Sequence, residues 1–383
     1  MNLAIFFDPV PEYLITDHPD IHGWQSNISI FHESFPSLEI AEIAIIGIPE
    51  SRGAGKNIGV SGGPNEIRNA LYQLKKGTGN YNIVDLGNLR LADTYNDTIL
   101  RLKEVCEALM ELSIIPILIG GSQDLDYGQF LAYESLEKAI TVLNIDSRLD
   151  MEIDGNPSSK HIEQILTHEP NFLFHYCHLG YQSFYVDKHK MEALEKLYFE
   201  LYRLGQVKET LSESEPIIRT ADMITFDISA IKMSDAPGNA NAGPFGFTAE
   251  EACQLMWYAG INSRLSSIGI YEFNPDLDVR QQTASVIATM IWYFVEGFYH
   301  RNVEIDISDQ RFTKYNVALK VNPHHLVFYK DTKTDKWWME IPYSGQDNKY
   351  SRNALLPCSY KDYLEAGQGE IPNRWVLAQA KLQ

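Results

Sequence analysis

The sequence predicts an α/β protein, a parallel sheet held between two helical layers as a three-layer α/β/α sandwich, with a C-terminal extension. Two observations predict it. Between residues 43 and 298, short apolar runs suited to buried strands alternate with stretches of helical periodicity, a pattern that requires parallel pairing with right-handed crossovers. The apolar runs also end abruptly in polar or acidic residues, and in an open parallel sheet such ends share one edge.

Residues 1–40 mix aromatics, Pro and His without a period and read as an irregular lead-in. Residues 43–48 form a β-branched strand closed by Pro49. Residues 50–64 carry Gly53, Gly55, Gly59, Gly62 and Gly63 and read as a flexible loop before a helix that begins near Pro64, a good first-turn residue. A phosphate loop is excluded, because Glu50 stands where its first glycine belongs and Asn57 where Ser or Thr does. A dinucleotide fingerprint fails as well, since Gly59 comes one residue late.

Residues 97–112 place Ile99, Leu102, Val105, Cys106 and Leu109 at helical spacing, with Asn96 or Asp97 as cap. The strand at 114–119 runs out into Ser122, Gln123 and Asp124, and a helix follows at 127–136. The strand at 140–145 ends in Asp146, Arg148 and Asp150. A strand starts at 172–174, residues 191–204 read as an amphipathic helix, and Ile217 and Ile218 close another. The strand at 223–226 ends in Asp227 and Ser229. Thr248 caps a helix at 248–260, with Glu251 completing a capping box. The strand at 267–271 ends in Glu272, and a long helix fills 280–298. Past residue 312 the pattern changes to β-like aromatic runs at 326–329 and 337–341. The expected division is therefore an α/β domain at 1–312 and an extension or small subdomain at 313–383.

Composition narrows the function. The 383 residues are 44% hydrophobic and 22% charged, as in globular domains. With 32 Lys plus Arg against 51 Asp plus Glu, the net charge of −19 opposes phosphate backbones and anionic membranes, so neither nucleic acid nor a membrane is an expected partner. Glu296 breaks the most apolar stretch, at 286–298, which falls short of the roughly 20 apolar residues of a membrane span. Residues 1–8 lack the basic start and cleavage site of a signal peptide. Cys106, Cys177, Cys253 and Cys358 form no CxxC pair, which suits a reducing, cytoplasmic location.

The strand ends together supply Gln123 and Asp124, then Asp146, Arg148 and Asp150, then Asp227 and Ser229, then Glu272. Crowded carboxylates raise one another's pKa and need a cation. A divalent metal would serve, and so would the Arg148 guanidinium.

The same stretches resemble those of the ureohydrolases, the family of arginase, agmatinase and formimidoylglutamase, over about residues 43–278. Gly62 Gly63 Pro64 Asn65 Glu66 Ile67 Arg68 is similar to the family's Gly-Pro-x-x-Ile-Arg helix start, and Asp85 Leu86 Gly87 Asn88 to its next signature. Gly120 Gly121 Ser122 Gln123 Asp124 stands where the family carries Gly-Gly-Asp-His-Ser, and Asp146 Ser147 Arg148 Leu149 Asp150 where it carries Asp-Ala-His-x-Asp. Phe226 Asp227 Ile228 Ser229, Ala236 Pro237 Gly238 and Glu272 Phe273 Asn274 Pro275 resemble its Asp-x-Asp, Ala-Pro-Gly and Glu-x-Asn-Pro motifs.

The resemblance implies an arginase-type fold, a homo-oligomer, and a chemistry in which two manganese ions generate a hydroxide that attacks an amidino carbon. It also exposes departures. Gln123 and Arg148 replace the two histidine ligands and Ser229 replaces an aspartate. Carried over, a single metal site would comprise Gln123, Asp146, Asp150 and Asp227, while the second is replaced by Arg148 and Ser229, since a guanidinium has no lone pair to donate. Arg148 is expected to neutralise Asp146 and Asp227. The cofactor expected is accordingly none or one divalent cation (Mn, Mg or Ca), not a two-manganese centre. The function expected is that of a catalytically weak or inactive homologue acting as a binding or regulatory protein. The alternative is an active hydrolase of C–N bonds in a formimino, guanidino or other linear amidine, using one metal or none. In that case Asp146, Asp150 and Asp227 would hold the reacting water and Glu272 would orient a small cationic amidine or guanidine-type ligand. His161 reads as a surface histidine, and His175 and His178 as core or loop residues rather than zinc ligands.

Overall fold

The computed structural model of the chain describes all residues except 1, 137, 153, 302–306, 308, 320–324, 343–353 and 383. Ten strands form the main sheet among the described residues. They are β1 (Phe7–Asp8), β2 (Ser29–Ile30), β3 (Ile43–Gly47), β4 (Ile83–Leu89), β5 (Ile115–Ile119), β6 (Ile140–Ile145), β7 (Leu173–Tyr181), β8 (Glu200–Arg203), β9 (Met223–Asp227) and β10 (Ser267–Tyr271). The order is β1-β4-β3-β5-β10-β9-β6-β7-β8, with β2 beside β4. Pairing is parallel except for β1, which runs antiparallel to β4 with Phe7 opposite Leu89. The predicted parallel sandwich is thus the fold formed.

The period of two decides the layering. In β3, Ile43 and Ile45 join one core while Ala44 and Ile46 join the other, and in β5 Ile117 and Leu118 divide the same way. Every residue of β3, β5, β6, β9 and β10 is buried, as expected of central parallel strands covered on both faces. The helices Ala249–Gly260 and Gln282–Tyr299 pack on the first core and Tyr95–Glu111 on the second. The capping box foreseen at Thr248 and Glu251 forms in full. The helix Tyr95–Glu111 is capped by Thr94, whose hydroxyl accepts from the Asp97 N–H, two or three residues earlier than the expected Asn96 or Asp97.

One element differs in kind. The helix expected over 191–204 is a shorter helix, Lys188–Lys196, followed by β8. Tyr198 takes a left-handed conformation with φ 58°, which ends the helix, and the next residues pair in parallel with β7. Edge pairing outweighs a helical apolar spacing here.

Beyond the main sheet, β11 (Phe312–Ala318), β12 (His325–Asp331), β13 (Trp337–Glu340) and β14 (Leu355–Cys358) make a four-stranded antiparallel sheet, followed by helices Tyr360–Gln368 and Asn373–Leu382. It has its own core, with Leu326, Phe328, Trp337 and Met339. Arg219 ties it to the main body: the guanidinium donates to the carbonyls of Trp337 and Cys358 and lies 4.5 Å from the Trp338 ring centre. Among the described residues no helix is long and apolar enough to cross a membrane.

Candidate active site

Four neighbouring strands, β5, β10, β9 and β6, deliver the site at their carboxyl ends. The turn after β5 carries consecutive left-handed glycines, Gly120 (φ 84°) and Gly121 (φ 76°), a conformation that side chains resist. It turns Gln123 back so that its N–H donates to Glu272 Oε1 at 2.9 Å. Glu272 itself sits at φ 69°, uncommon for a residue with a side chain. Asn57 from the glycine-rich loop donates to Glu272 Oε2 at 2.7 Å and to its carbonyl at 2.9 Å. Asn239 reaches the same carbonyl at 3.0 Å. Both carboxylate oxygens are therefore fixed.

Asp146, Asp150 and Asp227 converge, each offering an oxygen within 4.8 Å of the others. Asp227 Oδ1 accepts from the Ser229 N–H at 2.6 Å and from Asn239 Nδ2 at 3.3 Å. Asp146 Oδ1 accepts from the Ser229 hydroxyl and the Arg148 N–H, both at 3.1 Å. Asp146 Oδ2 is buried without a partner. Burial, then the charges of Asp227 and Asp150, push Asp146 well above the usual carboxylate range. Burial likewise pushes Asp227 up to about 7, against the opposing pull of the Ser229 N–H. A cluster frustrated in this way invites a cation.

Arg148 does not supply that charge. Its guanidinium lies 3.9 Å from the Tyr185 ring centre, and among the described residues it forms no ion pair with Asp146, Asp150 or Asp227. The expected neutralisation is thus corrected: stacking on an aromatic ring from the loop after β7 draws the side chain away from the carboxylates. His161 differs too. Rather than lying at the surface it is fully buried, with Nδ1 2.9 Å from Asp126 Oδ1 and Nε2 3.7 Å from Asp150 Oδ2. Burial alone would lower it, but Asp126 and Asp150 outweigh that and hold it well above the usual histidine value. The same contact keeps Asp150 low against its burial.

Gln123 donates through Nε2 to Asn144 and Thr225, leaving its Oε1 buried and unpartnered. Ser229 spends its hydroxyl on Asp146 and Ser147. His178 packs in the core, bonded to the Tyr176 hydroxyl and the Asp146 carbonyl. Above the cluster opens a cleft of about 420 Å³, lined by Lys56, Arg148, Asp150, Asn156, Asp227 and Glu272 among others. Three contributors carry no direct signal in the sequence: Asn57 lies in a loop expected to be flexible, Asn239 directly follows the Ala-Pro-Gly stretch, and Asp126 opens a helix.

Comparison with known proteins adds to this geometry. Residues 41–296 match the model of the arginase family. The chain is 25% identical over 301 residues to formimidoylglutamase from Streptococcus gordonii, covering 71% of this chain and 90% of that one. It is 26% identical to the formimidoylglutamase of Staphylococcus haemolyticus, covering 66% and 85%. Among solved structures it resembles Trypanosoma cruzi formiminoglutamase with Mn2+2 (TM-score 0.65, 22% identity, 70% of this chain and 97% of that one). It also resembles formimidoylglutamase from Bacillus subtilis (TM-score 0.67, 20% identity, 75% and 95%). These relatives correct the cofactor expectation of none or one divalent cation: the two-manganese centre ruled out from the substituted ligands is what the T. cruzi protein carries on this fold.

Proposed function

The chain is a formimidoylglutamase-like member of the arginase family, and from that membership we propose that it is an active, manganese-dependent hydrolase of a C–N bond in a linear amidine, a formimino or guanidino compound. The observation that carries this reading is the convergence of Asp146, Asp150 and Asp227 at the strand ends, with Glu272 lining the same cleft. The relatives named above are enzymes, which favours activity over the weak or inactive binding protein expected from the departures at Gln123, Arg148 and Ser229.

The residues present suit the metal. Carboxylates are donors that manganese accepts, and Asp146 Oδ2 is buried with nothing to bind. Asp146, Asp150 and Asp227 would hold it, and the unpartnered Gln123 Oε1 is a further oxygen on the neighbouring strand end. When bound, manganese supplies Lewis acidity and a water acidic enough to act as nucleophile near neutral pH.

The protein's own groups do the rest. Glu272, with one oxygen held by the Gln123 N–H and the other by Asn57, is positioned to accept from an amidinium, whose charge would favour the ionised carboxylate that burial and Asp227 otherwise oppose. His161, buried between Asp126 and Asp150, fixes Asp150 from behind. Four free, buried cysteines agree with a reducing compartment, and we place the reaction in the cytoplasm.

The test is direct. Protein stripped of metal and reloaded with manganese is offered N-formimino-L-glutamate, L-arginine and agmatine, and formamide, ammonia and urea are measured. Manganese-dependent release from at least one is expected. Manganese-loaded protein that turns over none of them above background would overturn the proposal.

A further inference from the structure

Arg148 enters the cleft in a way the reaction just described does not use. Its backbone N–H is bound to Asp146 Oδ1 at 3.1 Å, and its side chain leaves in another direction to lie on Tyr185, 3.9 Å from the ring centre. A guanidinium stacked on an aromatic face keeps its N–H donors at its edge, free for planar oxyanions. Asp150, Asp227, Glu152 and Glu272 line the same cleft, yet among the described residues Arg148 pairs with none of them. Its Nε is buried with no acceptor.

The cleft carries charges of both signs. Asp150, Asp227 and Glu272 line it where an amidine would react, and Arg148 and Lys56 line it too, each without a carboxylate partner among the described residues. A ligand that is a cation at one end and an anion at the other satisfies both. Because Arg148 is already pinned at its backbone and by Tyr185, little further ordering is required to receive an anion.

We propose that Arg148, braced by Tyr185, is the specificity-determining residue of this cleft and binds a carboxylate at the end of the ligand remote from the amidine, in bidentate fashion. The inference rests on the proposed function only in placing the ligand in that cleft.

The test is calorimetric titration of the manganese-loaded, full-length protein with glutarate and with glutaramide, which differ in charge but hardly in shape. Glutarate is expected to bind at least ten-fold more tightly. Arg148→Gln should erase that preference, and Arg148→Lys should restore only part of it, because an ammonium lacks the fork. Melting curves confirm that both variants fold. Equal binding of acid and amide by the parent would overturn the inference. So would an Arg148→Gln protein that keeps the preference, because the metal would then be holding the carboxylate. Should the amidine panel show no turnover while glutarate binding still depends on Arg148, the hydrolase reading falls and this one stands. Should turnover be found with the preference insensitive to Arg148, the reverse holds.

Discussion

Asp227→Ala is expected to abolish manganese-dependent hydrolysis and manganese retention together. Asp227 is one of three carboxylates whose oxygens lie within 4.8 Å of each other, and its Oδ1 is aimed by the Ser229 N–H and Asn239. Changes to groups that merely orient metal ligands cost about 10–100-fold in metal affinity or activity, so loss of a ligand should exceed the upper figure. Binding also raises stability by mass action, about 2.7 kcal/mol at a hundred-fold excess over Kd. Manganese should therefore raise the Tm of the parent and leave that of Asp227→Ala unmoved. The metal-free variant should fold, since it removes a buried carboxylate whose charge adds to the burial that pushes Asp146 above its usual range. A variant that keeps both the manganese-induced shift and turnover would show that the metal sits elsewhere.

Arg68→Ala should cause the largest loss of stability, about 3–5 kcal/mol. Arg68 and Asp85 are both completely buried and joined by two hydrogen bonds of 2.9 Å. The guanidinium also donates to Asn88 Oδ1 at 2.6 Å and the Gly87 carbonyl at 2.7 Å, and Tyr72 donates to Asp85 at 2.8 Å. Truncation leaves the Asp85 carboxylate in the interior without its cation, which costs more than the pair itself contributes. Urea denaturation of Arg68→Ala, Asp85→Ala and the double variant measures this. The double variant should be less destabilised than the sum of the singles. A loss below about 1 kcal/mol, the usual range of exposed pairs, would refute the assignment. Because this pair clamps the helix Gly63–Leu71 onto β4, and the loop before that helix carries Asn57, activity should fall in step with stability.

Much of the fold was legible because its signals are local. The runs that became β3, β5, β6, β9 and β10 are apolar through their whole length, and the acidic residues that follow mark where each strand leaves the core. Asp146, Asp150, Asp227 and Glu272 could be gathered onto one edge by topology alone. What escaped depends on partners distant in sequence. Arg148 looks like a cation among carboxylates until Tyr185, on the loop after β7, draws its side chain away. His161 looks exposed until Asp126 and Asp150 enclose it. The helix expected through residue 204 stops because Tyr198 turns left-handed and β7 offers an open edge. The metal expectation failed for a related reason: counting ligand types says which donors were exchanged, but not that, among the described residues, Arg148 forms no ion pair with the remaining carboxylates and His161 reaches only Asp150.

Glu272 holds a left-handed backbone, a conformation worth of order 1–3 kcal/mol of strain in a residue with a side chain. Three neighbours, Gln123, Asn57 and Asn239, lock it there. A glycine would take this backbone conformation without strain but would leave the Gln123 N–H and the Asn57 amide without the carboxylate they hold. The strained acid is thus a position where backbone comfort and the fixing of a ligand-facing carboxylate oppose each other.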